Sequence, residues 1–232
     1  MRHAVPRLMA AGLAAALATG ACKTGTPEPA RVGGQPAPSP STSTGGPMAD
    51  AKGIFRVPGI RQPFSIADVN FMSGMIPHHA QAVVMAGWAA SHGARNDVRI
   101  LCERIAVAQR DEIKFMQTWL NDRGQEVPEA TATHHKMKMP NGTVHDMLMP
   151  GMLTDEEMAQ LDKARGPEFD RLFLLGMIKH HQGAITMVEE LLASYGAAQD
   201  DEIYRFASDV FADQSTEIDR MTKMLAGGGF QS

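Results

Sequence analysis

Apolar positions recur with a helical period in four stretches of this chain. From Phe71, the positions Phe71, Met75, His78, Ala82, Met85 and Ala89 advance by 4, 3, 4, 3 and 4 residues. That is the step of a helix face that packs in a bundle. The same steps carry Phe173, Met177, His180, Ala184, Met187 and Leu191. Two further stripes predict two more helices: Val98, Leu101, Ile105, Gln109, Glu112, Met116, Trp119, and later Ile203, Phe206, Val210, Gln214, Glu217, Met221, Met224. Ser65 with Asp68 three residues on predicts the start of the first helix. Asn96 is the expected cap of the second, Pro167 opens the third, and the fourth begins near Asp200. Gly93, Gly124, Gly196 and the Gly227-Gly228-Gly229 run predict the ends. Pro77 lacks the N–H that would reach back along the first helix and predicts a local kink.

The first and third stripes belong to one repeated segment. Phe71-Met-Ser-Gly-Met75-Ile-Pro-His78-His79 returns 102 residues later as Phe173-Leu-Leu-Gly-Met177-Ile-Lys-His180-His181, and Ala82 and Met85 return as Ala184 and Met187. Gln109-x-x-Glu112-Ile113 likewise matches Gln214-x-x-Glu217-Ile218, now offset by 105. The duplication therefore covers two αα-hairpins. Packed together they predict an all-α four-helix bundle over residues 63–226.

The rest of the chain delivers or connects the bundle. Residues 1–22 have a basic start and an apolar run from Leu8 to Ala21, too short to span a bilayer as a permanent helix, and read as an export signal. The small residues before Cys22 predict a lipoprotein-type cleavage with lipid on Cys22, the alternative being cleavage and free release as a periplasmic or secreted protein. The Gly, Pro, Ser and Thr of residues 23–62 predict a disordered tether, and residues 227–232 a short tail. Residues 125–166 are too polar and too broken for a fifth bundle helix, although Thr154 and Glu157 predict one short helix to about Ala164.

A net charge of −4 and 6% aromatic residues point away from nucleic acid. The 17 methionines and nine histidines are the unusual feature. Met75, His78 and His79, like Met177, His180 and His181, fall within one helical turn, while adjacent imidazoles diverge by about 100° around the axis. Glu112 and Glu217, with Gln109 and Gln214, lie on stripes where a carboxylate needs a partner, and a facing imidazole is the expected one. The connection adds His134, His135, Met137, Met139, His145, Met147, Met149 and Met152 without helical periodicity, which leaves these thioethers no packing reason. Thioether with imidazole suits Cu(I), and by the same softness Ag(I), rather than Mg, Ca or Zn. Cys102 sits at helical spacing among apolar residues and reads as a small buried hydrophobe.

The paired Met-Ile-x-His-His motif, the Gln-x-x-Glu-Ile helices and the segment Met149-Pro-Gly-Met152-Leu-Thr resemble the domain of unknown function 305 family, over about residues 68–225. The resemblance implies an exported, ferritin-like bundle. It also implies copper association, since members of the CopM type bind copper and silver and assist metal resistance. By position it carries over His78, His79, His180 and His181, with Met75, Met85, Met177 and Met187.

The expected function is a non-catalytic Cu(I) or Ag(I) binder that sequesters or transfers the ion outside the cytoplasm, with Gln109, Glu112, Gln214 and Glu217 orienting the imidazoles. The expected partner is the metal ion, with membrane contact only through the lipid anchor. One alternative is a ferritin-like redox enzyme, weakened by the lack of Glu-x-x-His in the duplicated hairpins. The other is a structural bundle whose buried His-Glu-Gln network binds nothing.

Overall fold

The computed structural model describes residues 48–59, 62–138 and 142–227, with the side chains of 136–138, 144 and 145 excepted. The export signal, Cys22, the tether up to residue 47, Met139 and residues 228–232 lie outside the described residues. Four long helices match the four stripes: α1 (Ile66–Gly87), α2 (Asn96–Asp122), α4 (Pro167–Ala193) and α5 (Asp201–Gly227), with the short α3 (Asp155–Lys163) before α4. α1 packs on α2, α4 on α5, and the two hairpins meet along α1 and α4.

Local chemistry sets the helix starts. At α1 the Ser65 hydroxyl accepts the Asp68 N–H at 3.1 Å, and the Asp68 carboxylate accepts the Ser65 N–H at 2.7 Å. Thr154 and Glu157 make the same reciprocal pair at α3, at 3.3 and 2.8 Å. At α2 the expected cap is displaced. Arg95, not Asn96, is the capping residue and makes no side-chain cap bond; its N–H donates instead to Asp170, 3.3 Å from each carboxylate oxygen. Asp68, 102 residues earlier, accepts the Ala198 N–H at 2.8 Å. Each copy's first helix thus ties down the turn of the other hairpin. α1 ends at Gly87 and turns follow to Gly93, which has φ 72°. It continues through Pro77 as one element.

The domain starts earlier than residue 63. β1 (Ile54–Phe55) pairs antiparallel with β2 (Phe64–Ser65). Phe55 stacks on Phe64 with ring centroids 4.8 Å apart, and Phe64 meets Trp119 edge-on at 5.3 Å. Two aromatic side chains supply enough apolar burial to order a stretch whose composition reads as tether.

The connection between hairpins contains a second two-stranded sheet, β3 (His135–Lys138) with β4 (Val144–Met147), where the sequence suggests only a broken segment. The apolar core divides into two clusters. One contains Met75, Met187, Ala184 and Trp119. The other contains Met85, Met177, Ala82 and Phe173. Along α1 and along α4, the adjacent histidines fall between the methionine of one cluster and that of the other. Among the described residues, no helix is long and apolar enough to cross a membrane.

Candidate metal centre

All four bundle histidines are fully buried. His78 and His180 lie against each other, ring centroids 3.8 Å apart and tilted by 41°. His78 Nε2 is 3.0 Å from the Pro150 carbonyl, and His180 Nε2 is 2.9 Å from the His78 carbonyl. A carbonyl oxygen can only accept, so Nε2 must carry the proton in both rings. Burial, with the neighbouring histidines, holds both well below the usual imidazole range. Both rings are therefore neutral, and Nδ1 of each is a bare lone pair with no hydrogen-bond partner.

The divergence expected of adjacent histidines is present. His79 turns to α2, its Nε2 2.7 Å from Glu112 Oε2 but without hydrogen-bond alignment. His181 turns to α5 and bonds Glu217 Oε2 at 2.7 Å. The two carboxylates are 22% and 23% exposed, so each pair runs from a dry ring to a wet oxygen. Gln109 and Gln214 differ from expectation. Both are buried, yet Gln109 Oε1 and both amide atoms of Gln214 have no hydrogen-bond partner. Met75, Met85, Met177 and Met187 are all buried on the stripes.

The connecting residues separate into three groups. Met152 is buried, 3% exposed, and its sulfur faces the Met149 N–H at 3.2 Å. Packing does explain this thioether, contrary to the sequence reading. Met149 is half-buried against Gly74. His134 faces Asp155 at 3.3 Å across a partly exposed gap. In the β3–β4 register the backbone of His135 is opposite Met147 and that of Met137 opposite His145. Among the described residues, no three His, Cys, Asp or Glu side chains gather around one point.

The profile of a family described as a domain of unknown function, DUF305, matches residues 68–225. The chain belongs to this family. A DUF305 protein of Streptomyces coelicolor is 28% identical, with a TM-score of 0.59 over 70% of this chain and 94% of that one. CopM in its Cu(I)-bound form is 27% identical, with a TM-score of 0.54 over 70% of this chain and 97% of that one. CopM in its silver-bound form gives 27% and 0.53, over 71% of this chain and 98% of that one. Uncharacterized protein L153 of Acanthamoeba polyphaga mimivirus is 33% identical over 70 residues, 30% of this chain. That match spans 46% of the viral protein, under half its length.

Within this DUF305 domain, a strap from Met149 to Leu153 is the element that sequence reasoning missed. Gln81 clamps it from α1: its Nε2 donates to the Leu153 carbonyl at 2.9 Å, and its Oε1 accepts the Leu153 N–H at 2.8 Å. Gly183, which holds the place of Gln81 in the second copy, lets the strap touch α4. A Cβ there would fall 1.9 Å from the Pro150 carbonyl oxygen. Gly151 adopts φ 76° at this crossing, the left-handed region that glycine occupies without strain. The sequence carries only a weak signal of it, since Gln81 and Gly183 differ between the copies but so do neighbouring pairs such as Ala80 and Gln182.

Proposed function

We propose that this DUF305 protein is an exported, non-catalytic binder of Cu(I) and Ag(I), held at the membrane surface by lipid on Cys22. The observation that carries the reading is the pair of bare Nδ1 lone pairs on His78 and His180. They lie in a dry core, each ring with a buried thioether at one neighbouring stripe position, Met75 or Met177, and an alanine at the other. A lone pair with no donor is costly to bury. A soft monovalent cation satisfies imidazole nitrogen and thioether sulfur together, without displacing a proton from either. The imidazoles of His78 and His180, with thioethers drawn from Met75, Met85, Met177 and Met187, would supply the ligands. The Cu(I)- and Ag-bound forms of CopM support the choice of metal.

A competing reading is a structural bundle whose polar layer binds nothing, favoured by the carboxylate partners that His79 and His181 already face. Titration under reducing conditions against a Cu(I) chelator separates the two. Uptake by the wild type, lost when Met75, Met85, Met177 and Met187 all become Leu, supports a metal site. No uptake, or uptake unchanged by those four substitutions together with Met137, Met139, Met147 and Met149→Leu, overturns it.

A further inference from the structure

The two copies of the duplicated motif are not equal at their ends. Gly74 and Met187 correspond, at an offset of 102, to Gly176 and Met85. Over Gly74, the strap residue Met149 comes together with Met187. A Cβ on Gly74 would lie 2.8 Å from Met149 Cε, 3.4 Å from Met149 Sδ and 3.6 Å from Met187 Cε. Over Gly176, the neighbours of the same point are Met85 Cε at 3.3 Å and Leu153 Cδ2 at 3.1 Å. Leucine thus stands at one end where Met149 stands at the other. The strap crosses from one end to the other, with Met149 over Gly74 and Leu153 over Gly176.

At the sulfur end there is an opening. A cleft of about 180 Å³ is lined by Phe71, Met149, Met187 and the carboxylate-bearing Glu190, among others. Met149 is half-buried and Met187 is 4% exposed, so two thioethers run from the cleft into the core. Met187 belongs to the same apolar cluster as Met75, one turn from His78. Glycine at position 74 leaves the space that the Met149 methyl fills.

We propose that Met149 and Met187 form a two-thioether landing site for a soft monovalent cation at this end of the bundle only. The site rests on the copper- and silver-binding reading above and adds where the ion first meets the protein. A thioether keeps its lone pairs at every physiological pH, and methionine's unbranched chain lets the sulfur turn toward the cleft at small cost. The Glu190 carboxylate raises the local concentration of cations at the mouth. The Gly176 end has Leu153 beside Met85 in the equivalent place.

The test uses the full chain carrying 13C-methyl methionine and silver nitrate added below one equivalent. The Met149 and Met187 methyl signals are expected to move first, before those of Met85 and Met177. Met149→Leu is expected to weaken silver binding at least tenfold, and Leu153→Met to add a response at Met85. A Met85 or Met177 methyl that moves at the same silver level as Met149, or an unchanged affinity in Met149→Leu, overturns the landing site. If the wild type takes up no silver at all, the broader reading falls with it. Uptake by the wild type that Met149→Leu leaves intact removes the landing site alone. Should Met149→Leu fail to fold, the methyl order in the wild type still decides.

Discussion

His180 reaches past the His78 ring, 3.8 Å away, to bond the His78 backbone carbonyl at 2.9 Å. Each copy's imidazole is thereby buried against the other copy, and burial holds both rings neutral. The unfolded chain takes up protons at the ordinary histidine pKa of about 6.5. Between the depressed folded value and that value, the unfolded state binds more protons, so stability rises with pH. The contribution is fully present above about pH 6.5 and is lost as pH falls below it, by up to about 1.4 kcal/mol per pH unit for each ring. Urea midpoints of the metal-free protein at pH 7.5, 6.5 and 5.5 check this. A steep drop between the last two is expected, and a level midpoint across all three contradicts the buried neutral pair.

Gln81 holds the Leu153 peptide from both sides, at 2.9 and 2.8 Å, with all of these groups buried. Gln81→Ala leaves an N–H and a carbonyl without partners in a place water cannot easily reach. Unsatisfied buried groups cost about 1–3 kcal/mol each, so a loss of about 3 kcal/mol is expected in chemical denaturation. The Leu153 amide should also exchange with deuterium much faster. Gln81→Glu should be nearly as harmful, because a carboxylate cannot donate to the Leu153 carbonyl.

The bundle was legible in the sequence because its information is local. The 4, 3, 4, 3, 4 steps of Phe71 to Ala89, and their return at Phe173 to Leu191, need only helix periodicity and one duplication. That Glu112 and Glu217 each take an imidazole partner was legible too, but the partners are His79 and His181, beside the stripes, rather than the stripe residues His78 and His180. The strap was not. Its anchors, Gln81, Gly183 and the His78 to Pro150 bond, join residues 33 to 72 positions apart, and no periodicity registers such contacts. Met152 illustrates the consequence: a thioether with no helical partner in sequence is buried by a crossing that only the fold creates. The N-terminal boundary was missed for a related reason. Phe55 and Phe64 are isolated in a polar, proline-containing stretch, and their value lies in stacking on each other and in the edge-on contact of Phe64 with Trp119.

Cys102 is buried on α2, and desolvation, helped by the Asp170 charge, pushes its thiol up to about 12. Thiolate is the reactive form. The native protein should therefore resist iodoacetamide at pH 8 for hours and react within minutes in guanidinium chloride. Rapid labelling of the native state, followed by mass spectrometry, would argue against the burial of Cys102 in the apolar cluster it shares with Leu101, Ile105 and Phe173.

Gly183→Ala sets helix propensity directly against the strap. In the interior of α4, alanine is favoured over glycine by about 1 kcal/mol, so a free position would gain stability. At 183, however, the new methyl would fall 1.9 Å from the Pro150 oxygen, 2.3 Å from its carbonyl carbon and 2.6 Å from Gly151 Cα. All three are backbone atoms, and no rotamer change relieves the clash. Either α4 moves away from the strap or the strap lifts, and the His78 to Pro150 bond breaks with it. A net loss of about 3 kcal/mol is expected, the range of other over-packed or strained core sites. Gly87→Ala is the matched control, since nothing lies within 4 Å of a Cβ there, and it should change stability by no more than about 0.5–1 kcal/mol. The 15N shift of His78 Nε2 reports the strap separately from global stability. In Gly183→Ala it should move toward that of an imidazole without a carbonyl acceptor, while in Gly87→Ala it should stay. A Gly183→Ala protein as stable as the wild type, with an unmoved His78 signal, would show that the strap does not press on α4 in solution.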